Sequence, residues 1–280
     1  MSAAEQTTHA PTTQSTEDED DEDLFDTNLF EEPEGFRPST PPPTYETYTR
    51  NPSNVKQNTP HTLDIQKMGA RDSLWAHRVW NGSLVLAEHL DCDKTKTQGK
   101  RVLELGCAAA IPSMLSAING AECVVATDYP NPVLMKTIAR NLETNCPEQW
   151  KNGTLKLVPH QWGHEVQEVL AALPDTTRKF DVIYLADLIF NHTEHRALLT
   201  TCKAALEPGP QSAMYVYFSS HVVKWAHKDL AFFEIAKEEE FGFCVEQFDK
   251  VKATAMFPDD VGDLEVRETV HCYRMWLPLK

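Results

Sequence analysis

Short apolar runs alternate with longer amphipathic stretches over most of the chain. Apolar runs of about four to eight residues are typical of buried strands, whereas apolar positions every three to four residues are typical of helices. The pattern predicts strands at 101–105, 122–127, 154–158, 180–186 and 213–218, with helices at 111–118, 131–145, 164–173, 193–206 and 225–240. Strands and helices that alternate in this way indicate a parallel sheet covered by helices on both faces.

The pattern changes after residue 240. Two strand-like runs, 243–256 and 266–277, follow each other with turn residues but no helical periodicity between them. They predict a closing hairpin, so the expected fold class is α/β: a doubly wound, Rossmann-like sheet of seven strands with an antiparallel C-terminal hairpin. A further helix is predicted at 73–90, just ahead of the first strand, with Asp72 or Ser73 as its N-cap.

The first predicted strand leads into a loop of very small residues, Gly106 to Ala110, and then into a helix with Pro112 in its first turn. Proline is well tolerated there because the missing N–H has no partner inside the helix. A strand, a small-residue turn and a helix let a ligand approach backbone N–H groups. Asp128 ends the second strand, where a carboxylate can accept hydrogen bonds from both hydroxyls of a ribose. The loop and the acid imply a nucleoside-containing cofactor without saying which one.

Charge is distributed unevenly along the chain. The formal net charge is −16, and residues 1–34 supply twelve acidic residues and no Lys or Arg. A nucleic-acid binder needs a basic face, so we expect no nucleic-acid partner. Composition predicts a mostly disordered acidic and Pro/Thr-rich tail over 1–60 and a folded domain over 61–280. Within the tail, the patches at 24–30 and 36–48 are candidates for docking onto the domain.

The seven cysteines include no CxxC pair, and several fall inside strand-like runs. This pattern favours reduced, buried thiols in a cytoplasmic protein over a disulfide framework or a zinc site. His192 and His195 do not form the HExxH signature of zinc proteases, and we expect no metal. The polar, acidic N-terminus resembles neither a secretory signal nor a transit peptide. No run approaches the ~20 apolar residues of a membrane span, so we expect no membrane association.

Ala108 and Ala110 occupy the places where a nicotinamide-binding Rossmann loop needs its second and third glycines. The loop ELGxAxA, in a sheet that closes with a hairpin, instead resembles the Class I S-adenosylmethionine-dependent methyltransferases. Glu104 and Gly106 match that family's first motif, and Asp128 matches its ribose-binding acid. The resemblance therefore implies S-adenosylmethionine as the cofactor.

Three further segments narrow the resemblance to the small protein methyltransferases that modify lysines. They are Trp80-Asn81-Gly82, Trp162-Gly163 and the sequence ADLIFNH at 186–192. Within that branch, the chain resembles fungal enzymes that methylate the N-terminal amine and a lysine of translation elongation factor 1-alpha. The resemblance covers roughly residues 60–280 and implies a protein N-methyltransferase whose partner is a basic protein, elongation factor 1-alpha; we expect it to act as a monomer. A small-molecule, nicotinamide-type N-methyltransferase and a non-catalytic cofactor-binding module stay open as alternatives.

The resemblance also assigns roles to individual residues. The cofactor-binding candidates are Trp80, Glu104, Gly106, Cys107, Ala108, Asp128, Trp162 and Ala186. Trp162 would stack on adenine. For Trp162 and Trp80 alike, the alternative is that the side chain packs in the core. Asp187 is the catalytic candidate, because a carboxylate at the carboxyl edge of the sheet can hydrogen-bond the incoming amine and fix its direction. Phe190, also assigned to the catalytic site, could face a methylated ammonium through a cation–π contact, whereas Tyr184 is expected in the core.

Overall fold

A seven-stranded sheet forms the centre of the computed structural model, which describes residues 41–69, 74–257 and 259–279. Within those residues, the strands are β1 (Thr44–Thr49), β2 (Thr62–Lys67), β3 (Arg101–Leu105), β4 (Cys123–Asp128), β5 (Leu155–Pro159), β6 (Val182–Ala186), β7 (Ala213–Ser219), β8 (Cys244–Lys252) and β9 (Thr269–Trp276). The order in the large sheet is β5-β4-β3-β6-β7-β9-β8. Strands β3 to β7 run parallel, and β9 lies antiparallel between β7 and β8. The predicted doubly wound class with an antiparallel closing hairpin is confirmed.

Helices cover both faces of this sheet. Over the described parts of the chain, the α-helices are α1 (Asn81–Cys92), α2 (Ile111–Ile118), α3 (Pro132–Asn145), α4 (Pro147–Asn152), α5 (Gln167–Ala171), α6 (His195–Ala205), α7 (Ala226–Lys237) and α8 (Leu264–Glu268). Leu86, Leu115 and Ile138, from α1, α2 and α3, belong to one core cluster; Leu199 and Phe232, from α6 and α7, belong to the other. Burial on both faces explains why β3 and β6 are continuous apolar runs in the sequence.

The first helix differs most from its prediction. Helix α1 begins at Asn81 and not near residue 73, and both proposed N-caps lie outside the described residues. The preceding segment contains Trp75, whose φ of +59° is incompatible with a right-handed helix. Leu74 and Val79 continued the apolar periodicity into this turn, so the pattern alone did not reveal where the helix starts. The short helices α4 and α8 were also missed.

Residues before 61, where the folded domain was predicted to begin, also form secondary structure. Strand β1 pairs antiparallel with β2, from Thr44 opposite Lys67 to Thr49 opposite Thr62. The fully buried Arg50 then donates to both carboxylate oxygens of Asp91 in α1, at 2.7 and 2.8 Å. A buried ion pair of this kind ties the hairpin to the helix layer. The remaining tail residues, including the patch at 24–30 and the first part of the patch at 36–48, lie outside the described residues.

All seven cysteines are free thiols, and five of them are buried, at positions 107, 123, 146, 202 and 272. Tyr184 is fully buried in β6, as expected, with its hydroxyl 3.3 Å from Ser116 Oγ. Among the described residues, no helix combines the length and the apolar character needed to cross a membrane.

Candidate active site

A cavity of about 490 Å³ opens at the carboxyl edge of the parallel strands. This edge is the usual ligand crevice of an open α/β sheet. The walls come from the segment before α1 and from the loops that follow β3, β4, β5 and β6. A volume of this size falls in the range of pockets that hold small molecules and cofactors.

The loop between β3 and α2 is bent by three residues with left-handed backbone. Gly106, Ala108 and Ala110 have φ angles of +60°, +42° and +58°. A left-handed conformation costs an alanine roughly 1–2 kcal/mol, whereas glycine adopts it freely. The two alanines noted in the sequence therefore adopt a glycine-like backbone conformation. The bend places Gly106 and Ala108 on the cavity wall.

Asp128 lies at the end of β4 and also lines the cavity. Its carboxylate accepts the backbone N–H of Ala108 at 2.8 Å and that of Tyr129 at 2.7 Å. Burial raises the pKa of Asp128 to about 6, and the two backbone hydrogen bonds act in the opposite direction. A carboxylate has about four lone-pair sites, so these two bonds leave room for hydroxyl groups of a ligand.

Trp162 and Leu188 pack closely over Gly106. A Cβ atom at Gly106 would lie 2.6 Å from Leu188 Cδ2 and 3.2 Å from Cζ2 of Trp162. A side chain at Gly106 would therefore force Leu188 to move, and the positive φ angle would add a backbone cost. Both side chains line the cavity, and the half-buried indole offers a flat apolar surface beside the loop backbone.

Glu104, in β3, and Cys107, in the loop itself, are both buried and are not among the described residues that line the cavity. The buried Glu104 side chain accepts the backbone N–H of Ser113 at 2.8 Å and the Ser113 hydroxyl at 2.5 Å. Burial raises the pKa of Glu104 to about 8 and raises that of the Cys107 thiol. Their assignment as cofactor-binding residues, which for Cys107 concerns the backbone, stays a prediction. Glu104 holds the first turn of α2.

Asp187 follows β6 in a left-handed conformation, with φ of +53°. Its side chain is 2% exposed, and both carboxylate oxygens accept backbone hydrogen bonds: Oδ2 from Gly82 at 2.6 Å and Oδ1 from Ser219 at 3.0 Å. Gly82 is in the first turn of α1, so the carboxylate also lies at the positive end of a twelve-residue helix. A Cβ at Gly82 would lie 2.7 Å from Asp187 Oδ2, which explains the glycine.

Aromatic side chains surround the outer part of the cavity. Trp75 is 45% exposed and Phe190 is 42% exposed, with ring centroids 6.5 Å apart in an edge-on arrangement. Trp80 lies 6.2 Å from Trp75 and donates its Nε1–H to the Trp75 carbonyl at 3.1 Å. The three rings all line the cavity. Aromatic faces grouped in this way can attract a cationic group.

Eight of the ten predicted site residues come together on the cavity wall: Trp80, Gly106, Ala108, Asp128, Trp162, Ala186, Asp187 and Phe190. Trp75, Leu188 and His160, which were not among the ten, also line it. His160 is buried, with its Nε2 3.3 Å from Thr201 Oγ1. In the sequence, only their positions connect these residues with the site: Trp75 is close to Trp80, Leu188 lies within ADLIFNH, and His160 is close to Trp162.

The charged side chains of the cavity wall are acidic. Its described lining residues include the acids Asp128, Asp187 and Glu194 but no Lys or Arg. A cationic ligand or an ammonium group is therefore better suited to this wall than an anionic one.

Comparison with protein families gives a match to the lysine methyltransferase family over residues 57–239. Among curated proteins, the chain is 41% identical over 261 residues to the protein N-terminal and lysine N-methyltransferase efm7 of Schizosaccharomyces pombe, covering 92% of this chain and 98% of the relative. It is 37% identical to EFM7 of Candida glabrata, covering 91% and 98%, and 36% identical to EFM7 of Gibberella zeae, covering 87% and 91%. Each alignment extends over more than 90% of the relative's own length.

Solved structures resemble the chain in fold at low sequence identity. A protein assigned as a methyltransferase and complexed with SAH gives a TM-score of 0.51 at 12% identity, covering 76% of this chain. The match spans about half, 53%, of that structure's chain. A protein assigned as a transferase from Pyrococcus horikoshii gives 0.50 at 14% identity, covering 84% of this chain and 72% of the other.

Proposed function

The chain belongs to the lysine methyltransferase family, and on this premise we propose that it transfers methyl groups from S-adenosylmethionine to amines of a protein. The observation that carries the proposal is one continuous cavity that joins Gly106 and Asp128 to Asp187 and Phe190. The first pair is suited to a nucleoside cofactor, and the second pair to an amine. A methyl donor and its acceptor must occupy one enclosed space for direct transfer.

The residues on one side of the cavity are suited to S-adenosylmethionine. Asp128 would accept hydrogen bonds from the ribose hydroxyls, and Trp162 would stack against the adenine. The backbone at Gly106 and Ala108, with Ala186 and Trp80 opposite, would contact the methionine portion. The close packing at Gly106 supports this role, because a Cβ there would lie 2.6 Å from Leu188 and take up space beside the loop backbone. When bound, the cofactor supplies an electrophilic methyl group.

Residues on the other side would orient the amine. Asp187 accepts two backbone hydrogen bonds and keeps lone pairs for a third donor, so it can hold a substrate N–H in one direction. Phe190 and Trp75 would face the methylated ammonium after transfer, a contact worth on the order of 1 kcal/mol. Orientation of the amine and exclusion of water are the main contributions that the protein makes to such a transfer.

The shape and charge of the entrance favour a protein over a small molecule. Trp75, Phe190 and Tyr129 are all more than 40% exposed at the cavity, so its mouth lies open to solvent. The acidic wall suits a basic segment of a substrate. A nicotinamide-type enzyme would instead be expected to close over its substrate.

We take the substrate to be translation elongation factor 1-alpha, modified at its N-terminal amine and the adjacent lysine. The resemblance of ADLIFNH and the flanking segments supports this choice, as do the relatives named for N-terminal and lysine methylation. The enzyme would act in the cytoplasm, where seven free thiols persist, and as a monomer.

The direct test uses purified protein, methyl-labelled S-adenosylmethionine and a lysate from a strain that lacks the enzyme. We expect label on an elongation factor 1-alpha band. Label on free nicotinamide with no labelled protein would support the small-molecule alternative. Binding of S-adenosylhomocysteine with no transfer to either would support the non-catalytic alternative.

A further inference from the structure

Glu194 is an acidic residue on the wall of the cavity, next to Phe190 and Asn191. It is half-buried, and its carboxylate oxygens are not among the fully buried atoms that lack a partner, so a ligand in the cavity can reach them. The residue is the N-cap of α6, yet its side chain makes no capping hydrogen bond. Among the described residues, none forms an ion pair or a hydrogen bond with this side chain.

The basic residues beside Glu194 along the chain are all engaged elsewhere. His192 Nε2 lies 2.7 Å from Asp229 Oδ1. The His195 ring donates to a backbone carbonyl oxygen, and burial lowers the pKa of this imidazole. Arg196 pairs with two glutamates that follow α7. None of these three residues therefore neutralises the charge of Glu194, and the described cavity lining contains no Lys or Arg that could do so.

Asp187 and Glu194 lie at different depths in the cavity. Asp187 is 4% exposed and accepts two backbone N–H groups, whereas Glu194 is half-buried. A peptide whose terminal amine reaches Asp187 enters through the open mouth, so its second residue stays nearer to solvent. Asp128, the other acid of the described lining, is placed to bind the ribose. Glu194 is therefore the carboxylate available to the second residue of the peptide.

On the basis of the proposed methylation of an N-terminal amine, we propose that Glu194 binds the ammonium group of a lysine next to that amine. A lysine side chain is a compact positive charge on a flexible stem, so it can reach Glu194 while the terminal amine lies at Asp187. The contact is a charge-assisted hydrogen bond, which is stronger than a neutral one. The enzyme then prefers protein N-termini whose second residue is lysine.

The same two acids allow one cavity to serve two amines of one substrate. When the lysine enters at Asp187 to be methylated, the terminal amine takes the place at Glu194. A methylated terminal amine keeps its positive charge, so it still suits a carboxylate. Each carboxylate thus faces a cation in both orientations. A small molecule with a single amine would have no group for Glu194.

The test uses two synthetic peptides with the N-terminal sequence of elongation factor 1-alpha, which differ only in the second residue. One has lysine there, and the other has norleucine, which keeps the apolar stem but lacks the ammonium. The preference is the ratio of kcat/KM for N-terminal methylation of the lysine peptide to that of the norleucine peptide. We expect a preference of about 10-fold or more for the wild type and less than about twofold for Glu194→Gln. Equal preferences in the two proteins would overturn the role of Glu194.

Two further variants separate recognition from a structural effect. Glu148→Gln is the matched control, because Glu148 is an exposed acid in the first turn of α4 and is not part of the described cavity lining. It should keep the wild-type preference. Glu194→Lys should prefer a third peptide, with glutamate as its second residue, over the lysine peptide. If Glu194 served only the N-terminus of α6, its variants would lower activity on all peptides alike and leave the preference unchanged.

Binding measurements keep this test separate from that of the proposed function. The lysine and norleucine peptides are titrated into wild type and Glu194→Gln saturated with S-adenosylhomocysteine, whose binding also shows that each variant is folded. The ratio of the two dissociation constants should fall in Glu194→Gln as the kinetic preference does, and an unchanged ratio would overturn the role of Glu194. Failure of the wild-type enzyme to methylate either peptide would instead overturn the proposed function, while the binding ratio still decides whether Glu194 recognises the lysine.

Discussion

The backbone N–H of Ala108 donates a hydrogen bond to Asp128 Oδ2 at 2.8 Å, which ties the loop after β3 to the end of β4. The same carboxylate is the one that would bind the ribose. Loop conformation and cofactor binding are therefore linked through a single side chain. A change at Asp128 should affect both.

The negative charge of Asp128 should strengthen cofactor binding. Asp128→Asn keeps an oxygen that can accept the Ala108 N–H but removes the negative charge. We expect the binding of S-adenosylhomocysteine at pH 7.5 to weaken by about 1–3 kcal/mol, because charge-assisted hydrogen bonds to the ribose become neutral ones. Isothermal titration calorimetry measures this directly. An unchanged dissociation constant would mean that the ribose lies elsewhere.

The pKa of Asp128 also predicts a pH dependence of cofactor affinity. Burial raises this pKa to about 6, and ribose hydroxyls would favour the ionised form. Below about pH 6 the carboxyl must release its proton before binding, so affinity should fall by up to tenfold per pH unit. Titrations between pH 5 and 8 should show this fall for the wild-type protein but not for Asp128→Asn. Parallel profiles for the two proteins would contradict the assignment.

Gly106→Ala tests the close packing of the cofactor loop. The new methyl would meet Leu188 at 2.6 Å, in addition to the cost of a left-handed alanine. Gly99→Ala is a matched control, because Gly99 has φ of +66° but a Cβ added there would have no atom within 4 Å. Both variants should lose about 1 kcal/mol or more of unfolding free energy. Only Gly106→Ala should also lose binding of S-adenosylhomocysteine, by more than about tenfold; equal binding losses would rule out the steric explanation.

Glu104 should make folding stability depend on pH. Burial raises its pKa in the folded protein to about 8 from an ordinary value of 4.5, so the folded state binds the proton more tightly than the unfolded state. Stability is then greatest below about pH 4.5 and decreases as the pH rises through 8, as far as this group is concerned. Glu104→Gln should remove this component and gain stability relative to wild type between pH 5 and 8, by an amount on the order of a few kcal/mol. Chemical denaturation at several pH values gives the free energy of unfolding of both proteins. The difference between the two should not vary with pH if Glu104 does not cause the pH dependence.

The buried pair of Arg50 and Asp91 tests whether the segment before residue 61 belongs to the domain. Asp91→Asn leaves a buried guanidinium without its counter-charge, and we expect a loss of about 3–5 kcal/mol. Glu238→Gln breaks a comparable pair with Arg196, whose side chains are about half exposed, and should cost less than about 1 kcal/mol. Similar effects of the two variants on urea denaturation would argue against a structural role for the hairpin.

The sequence was most informative where burial is complete. Strands β3 and β6 are buried along their whole length, so they appear as short apolar runs, and their order in the sheet follows from the βα alternation. The sequence was least informative where the local hydrophobic pattern favours one conformation and tertiary packing imposes another. Leu74 and Val79 looked helical, yet Trp75 turns the chain and brings an aromatic ring to the cavity.

The candidate site could be predicted in part for a similar reason. Gly106, Asp128 and Asp187 stand at the ends of predicted strands, which fixes them at one edge of the sheet. The motif could not tell that Glu104 faces α2 and not the cavity, because that depends on the direction of one side chain within a strand. The surroundings of Asp187 depend on α1 and β7 meeting in space, which no sequence spacing indicates.

Methylation of a protein amine by this chain can be measured in cells by mass spectrometry of the N-terminal peptide of elongation factor 1-alpha. The peptide is compared between cells with and without the gene for this chain. We predict that the peptide carries additional methyl groups only when the gene is present, and that an Asp128→Asn copy of the gene restores them poorly. Identical peptide masses in both strains, with every other lysine of the factor also unchanged, would contradict it.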